Sequence, residues 1–342
     1  GSGNMTGPNS ENPVFLYDTC GTYTVKLIII DATSCDDTII KTIDVYCNPI
    51  ALFEADPVCQ NQTTIFINQS TLGNNPSLGG LAYIWNMGGA GDYQVDGSGN
   101  MTGPNSENPV FLYDTCGIYN VTLTVTDGNL CDSVITIPVT VWCNPTADFS
   151  APPQCLDYQP IIFNDITTWG DGNPDTWTWT MNTDGNGTGS YEPGMNNTLP
   201  STEYSFDSCG IHPVQLIVTD DNGCIDSVTQ DVEVYCEPTA NFSIDSSTCL
   251  GDTTCFTNNS YTDPAGGSLL YIWDMGGPGS YQVNATGVMT GPNSENPCYL
   301  YSSAGPYTVT LIIVDSNTCN NTITISHIVR PNPIADFSAN TV

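Results

Sequence analysis

Hydrophobic and polar residues alternate with a period of two in many short segments of this chain. In residues 119–127, for example, Tyr119, Val121, Leu123 and Val125 alternate with polar residues. A strand that buries one face of a sheet requires this alternation, and the period of 3.6 typical of amphipathic helices is absent. Gly, Pro, Asn and Asp interrupt the alternating segments about every ten residues. The pattern predicts an all-β fold of two-sheet antiparallel sandwiches, with no helices of note.

The chain also repeats itself. Residues 1–21 recur letter for letter at 97–117, and the sequence MTGPNSENP returns at 289–297. A second marker, Pro-x-Ala-x-Phe, begins at Pro49, Pro145, Pro238 and Pro333, so its copies are 96, 93 and 95 residues apart. We therefore expect tandem repeats of ordinary domain size within a longer array. The predicted divisions are the C-terminal part of a first repeat at 1–47, whole second, third and fourth repeats at 48–143, 144–236 and 237–331, and the first strand of another repeat at 332–342.

Two motifs in these repeats resemble those of PKD (polycystic kidney disease type) domains. Residues 83–89 (YIWNMGG) and 271–277 (YIWDMGG) are similar to the Trp-Asp-Phe-Gly-Asp-Gly signature of that family. The later Gly-x-Tyr-x-Val-x-Leu-x-Val-x-Asp hallmark is matched by residues 21–31, 117–127 and 305–315. The third repeat departs most, because it carries WTMNTDG at 179–185 and places His212 and Pro213 inside the second motif.

The resemblance implies seven-stranded Ig-like sandwiches that serve as extracellular spacers or interaction modules. Arrays with a cysteine after the hairpin aspartate resemble those of very large surface proteins secreted by gliding or predatory Bacteroidota. We therefore expect a rigid segment of a giant extracellular filament or surface adhesin, used for attachment to cells, surfaces or prey. Two alternatives stay open: a glycan- or protein-binding module, marked by Trp169 and Trp177, and a spacer of a secreted hydrolase.

Composition and charge restrict the partners. Three basic residues face 36 acidic ones, and the formal net charge is −33. Nucleic acid is excluded as a partner, because no basic surface can be built from Lys26, Lys41 and Arg330. The sequence has no run near the roughly 18 apolar residues of a membrane helix, so we expect no membrane span in this segment.

Fifteen cysteines, only two histidines and no Cys-x-x-Cys pair favour disulfides over zinc and suggest secretion into an oxidising compartment. Cysteines recur at the start of the penultimate strand and the end of the last strand of a repeat. The midpoint of each such pair falls inside the final hairpin turn, so the two residues should face each other across the hairpin. The predicted bonds are Cys20–Cys47, Cys116–Cys143 and Cys209–Cys236.

The fourth repeat replaces this pair by Ala304 and Pro331 but keeps Cys249 and Cys319. The two retained positions, a first-loop cysteine and a turn cysteine, should lie at opposite ends of one sandwich, roughly 25 Å apart at about 3.3 Å per residue. They can bond only between repeats, unless the turn cysteines are free or pair otherwise. The predicted inter-repeat bonds are Cys59–Cys224 and Cys155–Cys319.

The remaining cysteines divide into one pair and three single residues. Cys255 and Cys298 occupy core-like positions of neighbouring strands and should form a sixth bond. Cys35, Cys131 and Cys249 have no mates in this scheme, as expected if the mates lie in flanking repeats.

Catalysis is not expected. His212 takes the place that tyrosine holds in the other repeats, and His327 takes a core position, so neither suggests a catalytic triad. Glu11, Glu107 and Glu295 are one repeated loop residue rather than an acid pair unique to a cleft.

Aspartates cluster at the final hairpins, where several oxygens could bind Ca²⁺ between repeats. The alternative is a set of solvated turn residues, since the spacing matches no EF-hand loop. No other cofactor is expected. The candidate ligands are Asp31, Asp36, Asp127, Asp132, Asp220, Asp226 and Asp315, and residues 171–175 form a weaker candidate.

Apolar residues also occupy outward-facing positions on two neighbouring strands. A stripe of this kind suggests lateral packing against identical chains, whereas the alternative is ordinary β-propensity. The candidate contact residues are Ile28, Ile30, Ile84, Ile217, Ile272, Ile312 and Val314.

Overall fold

A computed structural model describes residues 3–7, 9–72, 79–185, 188–245, 248–263 and 266–338. It is an all-β fold, as the alternating pattern predicts. Throughout the described ranges the only helical element with assigned bounds is a 3-10 turn at Leu156–Tyr158. No helix in this part of the chain is long and apolar enough to cross a membrane.

Two compact units make up the structure. Unit 1 contains residues 1–146, 169–175 and 219–225, and unit 2 contains 147–168, 176–218 and 226–342. Both units are built from strands of two to eleven residues.

Strands β1 to β13 belong to the first and second repeats. They are β1 Gly3–Thr6, β2 Val14–Tyr17, β3 Gly21–Ile30, β4 Asp36–Val45, β5 Phe53–Glu54, β6 Val58–Cys59, β7 Thr64–Ile65, β8 Ile67–Asn68, β9 Ala82–Asn86, β10 Gly91–Tyr93, β11 Val110–Tyr113, β12 Gly117–Thr126 and β13 Asp132–Trp142. In the second repeat the two larger sheets have the orders β10-β11-β7 and β6-β13-β12-β9.

Strands β14 to β28 belong to the third and fourth repeats. They are β14 Phe149–Ser150, β15 Gln154–Cys155, β16 Ile161–Asp165, β17 Pro174–Thr180, β18 Gly189–Tyr191, β19 Ser201–Phe206, β20 Gly210–Asp220, β21 Ile225–Tyr235, β22 Phe242–Ile244, β23 Thr254–Asn258, β24 Leu270–Asp274, β25 Gly279–Gln282, β26 Cys298–Tyr301, β27 Gly305–Val314 and β28 Asn320–Val329. The third repeat has the sheet orders β14-β16-β19-β18 and β15-β21-β20-β17, and the fourth has β22-β23-β26-β25 and β24-β27-β28.

A tryptophan lies at the centre of the core in each whole repeat. In the second repeat Trp85 on β9 packs edge-on against Phe53, with ring centroids 5.0 Å apart, and against Phe66. Its indole N–H donates to the Ser106 carbonyl at 2.9 Å, which satisfies the polar atom of a buried side chain. Leu123 on β12 is fully buried and lies opposite Trp85 in the register. The motif residues therefore form the interface between the two sheets.

Two short strand pairings depart from the antiparallel rule. β6 runs parallel to the end of β13, so that Cys59 lies opposite Trp142. β15 pairs in the same way with β21, and Cys155 lies opposite Tyr235. These short parallel pairs hold the first-loop cysteine of a repeat beside the end of its last strand.

Candidate functional site

The final hairpin of each repeat turns around an aspartate. In the third repeat, Asp220 Oδ1 accepts hydrogen bonds from the backbone N–H groups of Asn222 and Cys224, at 3.0 and 2.8 Å. In the fourth repeat, Asp315 Oδ1 accepts the equivalent bonds, including one from Cys319 at 2.9 Å. Because the carboxylate accepts hydrogen bonds from the backbone N–H groups of the turn, it fixes the turn and the position of its cysteine.

Twelve of the fifteen cysteines form six disulfide bonds in the structure, in the pairs that the sequence suggests. The two inter-repeat bonds have Cα–Cα distances of 5.5 and 5.6 Å, well inside the range of ordinary disulfides. The bonds are Cys20–Cys47, Cys59–Cys224, Cys116–Cys143, Cys155–Cys319, Cys209–Cys236 and Cys255–Cys298. Cys35, Cys131 and Cys249 are free thiols.

A loop of the third repeat reinforces the Cys59–Cys224 bond within unit 1. The backbone N–H of Cys143 donates to Asp171 Oδ2 at 2.8 Å. Gly170 lies so close to the Cys143 carbonyl that an added Cβ would be 2.1 Å from its oxygen, so only glycine fits there. The inter-repeat disulfide is therefore one part of a larger contact between the second and third repeats.

The same loop is tied to the hairpin turn. The backbone N–H and the side-chain amide of Asn173 donate to Asp221 at 2.7 and 2.9 Å. These hydrogen bonds favour the charged carboxylate and lower the pKa of Asp221. Asp171 and Asn173 lie in the segment TTWGDGNPD (167–175) of the third repeat. This repeat departs most from the PKD motifs, and that departure is the sequence signal for a contact loop.

The Cys155–Cys319 bond in unit 2 lies beside a groove. Its walls are Pro153, Gln154, Tyr158 and Tyr235 from the third repeat and Asn317 and Thr318 from the turn of the fourth. The side-chain amide of Asn320, directly after the turn cysteine, donates to the Tyr158 hydroxyl. Aromatic side chains of the third repeat and polar turn residues of the fourth therefore lie beside this disulfide.

Most of the candidate calcium ligands are engaged by the protein itself. The side chains of Asp127, Asp220 and Asp315 are buried, and their Oδ1 atoms accept backbone N–H groups. Asp226 Oδ2 accepts the N–H of Ala147 at 2.8 Å.

Within the described ranges, no three His, Cys, Asp or Glu side chains are placed to hold a metal ion together. Asp31 Oδ1 caps its own turn, whereas Asp36 and Asp132 are exposed. Calcium binding stays a prediction.

Acidification should loosen the turn at Asp31. The hydroxyl of Thr33 and the backbone N–H of Cys35 donate to Asp31 Oδ1 and lower the pKa of this carboxyl. A lowered pKa in the folded state means that the stabilisation is complete above the ordinary aspartate pKa and is lost as the pH falls through the lowered value. We expect the amide resonance of Cys35 to titrate in NMR below the ordinary aspartate range. In Asp31→Asn this titration should vanish, and its persistence would assign the effect to another group.

The lateral-contact residues lie on strands β3, β9, β20, β24 and β27, in one sheet of each of four repeats, and are unequally exposed. Ile28, Ile30, Ile84 and Ile272 are exposed, whereas Ile217, Ile312 and Val314 are half-buried. Ile272 lies directly opposite Ile312 between β24 and β27, which creates a local apolar patch. Packing against another chain stays a prediction.

Each histidine packs against aromatic rings of its own repeat. His212 stacks on Phe206 and contacts the Ser208 carbonyl at 2.9 Å through Nε2. Tyr119 makes the same contact in the second repeat, because its hydroxyl donates to the Thr115 carbonyl at 2.6 Å. Burial lowers the pKa of His327, which lies beside two threonine hydroxyls. Both histidines therefore have packing roles in the structure.

The two tryptophans that occur only in the third repeat are less exposed than a ligand-binding platform would require. Trp169 and Trp177 are half-buried. The indole N–H of Trp177 donates to Asp165 Oδ2 at 2.8 Å. This bond joins β17 in one sheet of the third repeat to β16 in the other, and ligand stacking on these rings stays a prediction.

Comparisons with known proteins identify the family. The sequence model described as "PKD domain" matches residues 142–236 and 235–329. Among solved structures, the PKD1 domain of Vibrio anguillarum Epp is 29% identical, with 28% of this chain and 96% of that chain covered and a TM-score of 0.22. The eight N-terminal Ig domains of Down syndrome cell adhesion molecule are 9% identical, with 94% and 48% covered and a TM-score of 0.36. Invasin, a bacterial integrin-binding protein, is 12% identical, with 94% and 67% covered and a TM-score of 0.32. Because the family match spans more than half of the chain, this protein belongs to the PKD domain family.

Proposed function

We propose that this chain is a structural segment of an extracellular filament or surface adhesin, in which disulfides convert a string of PKD repeats into a stiff rod. The observation that carries the proposal is the pair of inter-repeat bonds, Cys59–Cys224 and Cys155–Cys319. Each adds a second covalent connection to the peptide link between neighbouring repeats. Two separated connections restrict bending and twisting far more than one flexible linker does.

The chemistry of the chain supports an extracellular location. PKD domains and multiple disulfides are typical of extracellular proteins, since disulfides persist only in oxidising compartments. A net charge of −33 keeps the repeats soluble at high local density. Only three basic residues are available to trypsin-like proteases, which suits a fibre outside the cell.

Lateral association is the second part of the proposal. The exposed Ile84 and Ile272 occupy equivalent positions in the second and fourth repeats, and each lies on the outer face of its sheet. An apolar position that recurs along a rod suits packing against identical chains. Such packing would give a multi-chain filament suited to attachment.

Electron microscopy of single particles tests the stiffness. We expect the native chain to show a narrow distribution of lengths from the second to the fourth repeat, because both junctions between them are doubly connected. The quadruple variant C59S/C224S/C155S/C319S should show a broad distribution. The matched control is C255S/C298S, which removes one bond within a repeat and should leave the distribution narrow.

Identical length distributions for the native chain and the quadruple variant would refute the stiff-rod function. The mass per unit length on the same grids tests bundling. A value of several chains is expected, and a single-chain value at high protein concentration would remove lateral packing from the proposal.

A further inference from the structure

The free thiol of Cys249 has the same backbone setting as the bonded Cys59. Cys249 lies opposite Arg330 in a short parallel bridge, just as Cys59 lies opposite Trp142. The N–H of Leu250 donates to the Arg330 carbonyl at 2.8 Å, and the N–H of Gln60 donates to the Trp142 carbonyl at the same distance. The loop at Cys249 is therefore already folded as a disulfide-bonding loop.

The free thiol of Cys35 has the same setting as the bonded Cys319. In the first turn the N–H of Asp31 donates to the Cys35 carbonyl at 3.0 Å, and in the other that of Asp315 donates to the Cys319 carbonyl at 2.9 Å. Ser34, directly before Cys35, has a φ of 67°, close to the 69° at the equivalent position before Cys319. The turn at Cys35 thus needs no rearrangement to form an inter-repeat bond, and its thiol is exposed.

Charge distinguishes the Cys249 loop from its bonded counterparts. Tyr235 lines the groove beside the Cys155–Cys319 bond, and Arg330 holds the corresponding register position in the fourth repeat. Arg330 is exposed and is one of three basic residues in the chain. The carboxylate of the nearby Asp252 accepts the N–H of Cys249 at 3.3 Å.

The hairpin turn at Cys35 carries the opposite charge. Asp36 and Asp37 follow the cysteine directly, and both are exposed. In the bonded Cys155–Cys319 site, the residue directly after the turn cysteine, Asn320, reaches across to the partner loop. An acidic residue at that position would lie near the exposed Arg330, and opposite charges attract.

We propose that the surface formed by Cys249, Leu250 and Arg330 is a docking site for the acidic, cysteine-bearing hairpin turn of a further PKD repeat, and that Cys249 forms a disulfide with the docked cysteine. The inference rests on the proposed stitched array and extends it by one junction. The turns at Cys35 and Cys131 are two examples of this partner that the chain itself supplies, and the Cys35 thiol is the more exposed of the two.

The bond formation needs a disulfide oxidant such as oxidised glutathione. The Cys249 thiolate attacks one glutathione sulfur and releases the first glutathione thiolate. The turn cysteine, as a thiolate, then attacks the Cys249 sulfur of the mixed disulfide and releases the second. Two protein thiols are oxidised, one glutathione disulfide is reduced to two thiols, and the two thiol protons pass to solvent or to the released thiolates.

The experiment uses the full chain in a glutathione redox buffer, with a second copy supplying the turn. We expect disulfide-linked dimers and longer species on non-reducing gels. Pepsin peptide mapping should show Cys249 joined to Cys35. C249S and C35S should each abolish this species, whereas C131S should leave it. R330E should slow its formation at low salt about tenfold, and R330Q, which removes the charge without reversing it, should have an intermediate effect.

Two outcomes would overturn the proposal. One is the absence of any Cys249-linked species, and the other is a mixture in which Cys249–Cys249 bonds are as frequent as bonds to Cys35. The same peptide maps report Cys59–Cys224 and Cys155–Cys319. If those bonds are present while Cys249 stays free, the docking site fails but the stitched array does not.

Discussion

Replacing both cysteines of the Cys59–Cys224 bond by serine should lower the free energy of unfolding by about 5 kcal/mol. The bond closes a chain segment with a sequence separation of 165, the longest of the six. A cross-link between distant residues removes many conformations from the unfolded chain, so its loss favours unfolding. Guanidinium unfolding of C59S/C224S against the native chain, followed by tryptophan fluorescence, measures the difference.

A turn cysteine without a bond provides the control. Cys131 is a free thiol at the turn position that corresponds to Cys224. C131S should change the free energy of unfolding by less than about 0.5 kcal/mol. A loss of under 1 kcal/mol in C59S/C224S would show that the unfolded chain is not restricted by this bond, and would weaken the mechanical role proposed for it.

The second large effect is expected at Leu123. Its side chain is 0% exposed and lies between the two sheets of the second repeat. Leu123→Ala should lower the free energy of unfolding of this repeat by about 2 to 5 kcal/mol, because it removes buried methyl groups and leaves a cavity. Hydrogen exchange of the β12 and β13 amides, measured against the native chain, would report the loss.

The chain contains a matched control for this substitution. Leu27 holds the same position of the PKD motif on β3, but its side chain is 55% exposed. Leu27→Ala should therefore cost less than about 1 kcal/mol. Equal losses at the two sites would mean that Leu27 is buried in solution against a partner that these strands recruit.

Hairpin bonding followed from the sequence because it is a local property. In an antiparallel hairpin the register is determined by the turn, so Cys116 and Cys143 face each other once the turn is located. The inter-repeat pairs required one further observation, the loss of two cysteine positions from the fourth repeat. Comparing repeats within one chain thus served as evidence about long-range contacts.

Other features of the site had no local signal. The parallel pairing of β6 with β13 joins residues more than eighty positions apart, and nothing in the alternation of β6 indicates its direction. The carboxylate of Asp171 looked like a candidate metal ligand, but it accepts the N–H of Cys143. Its role depends on which loop packs beside it.

The sequence alone therefore determined the strand pattern, the repeat length, the family resemblance and the candidate disulfide pairs. Periodicity and hairpin symmetry are local properties, so they can be read from residues that are close in sequence. The tertiary structure decided which residues of that pattern are buried and which polar groups are engaged. Leu27 and Leu123 share one motif position, but residues 1–47 are predicted to be only the C-terminal part of a repeat, so only Leu123 is covered by an opposing sheet. Burial depends on which surfaces pack against each other in the folded chain, and the sequence of a single strand does not identify the strand or sheet that packs against it.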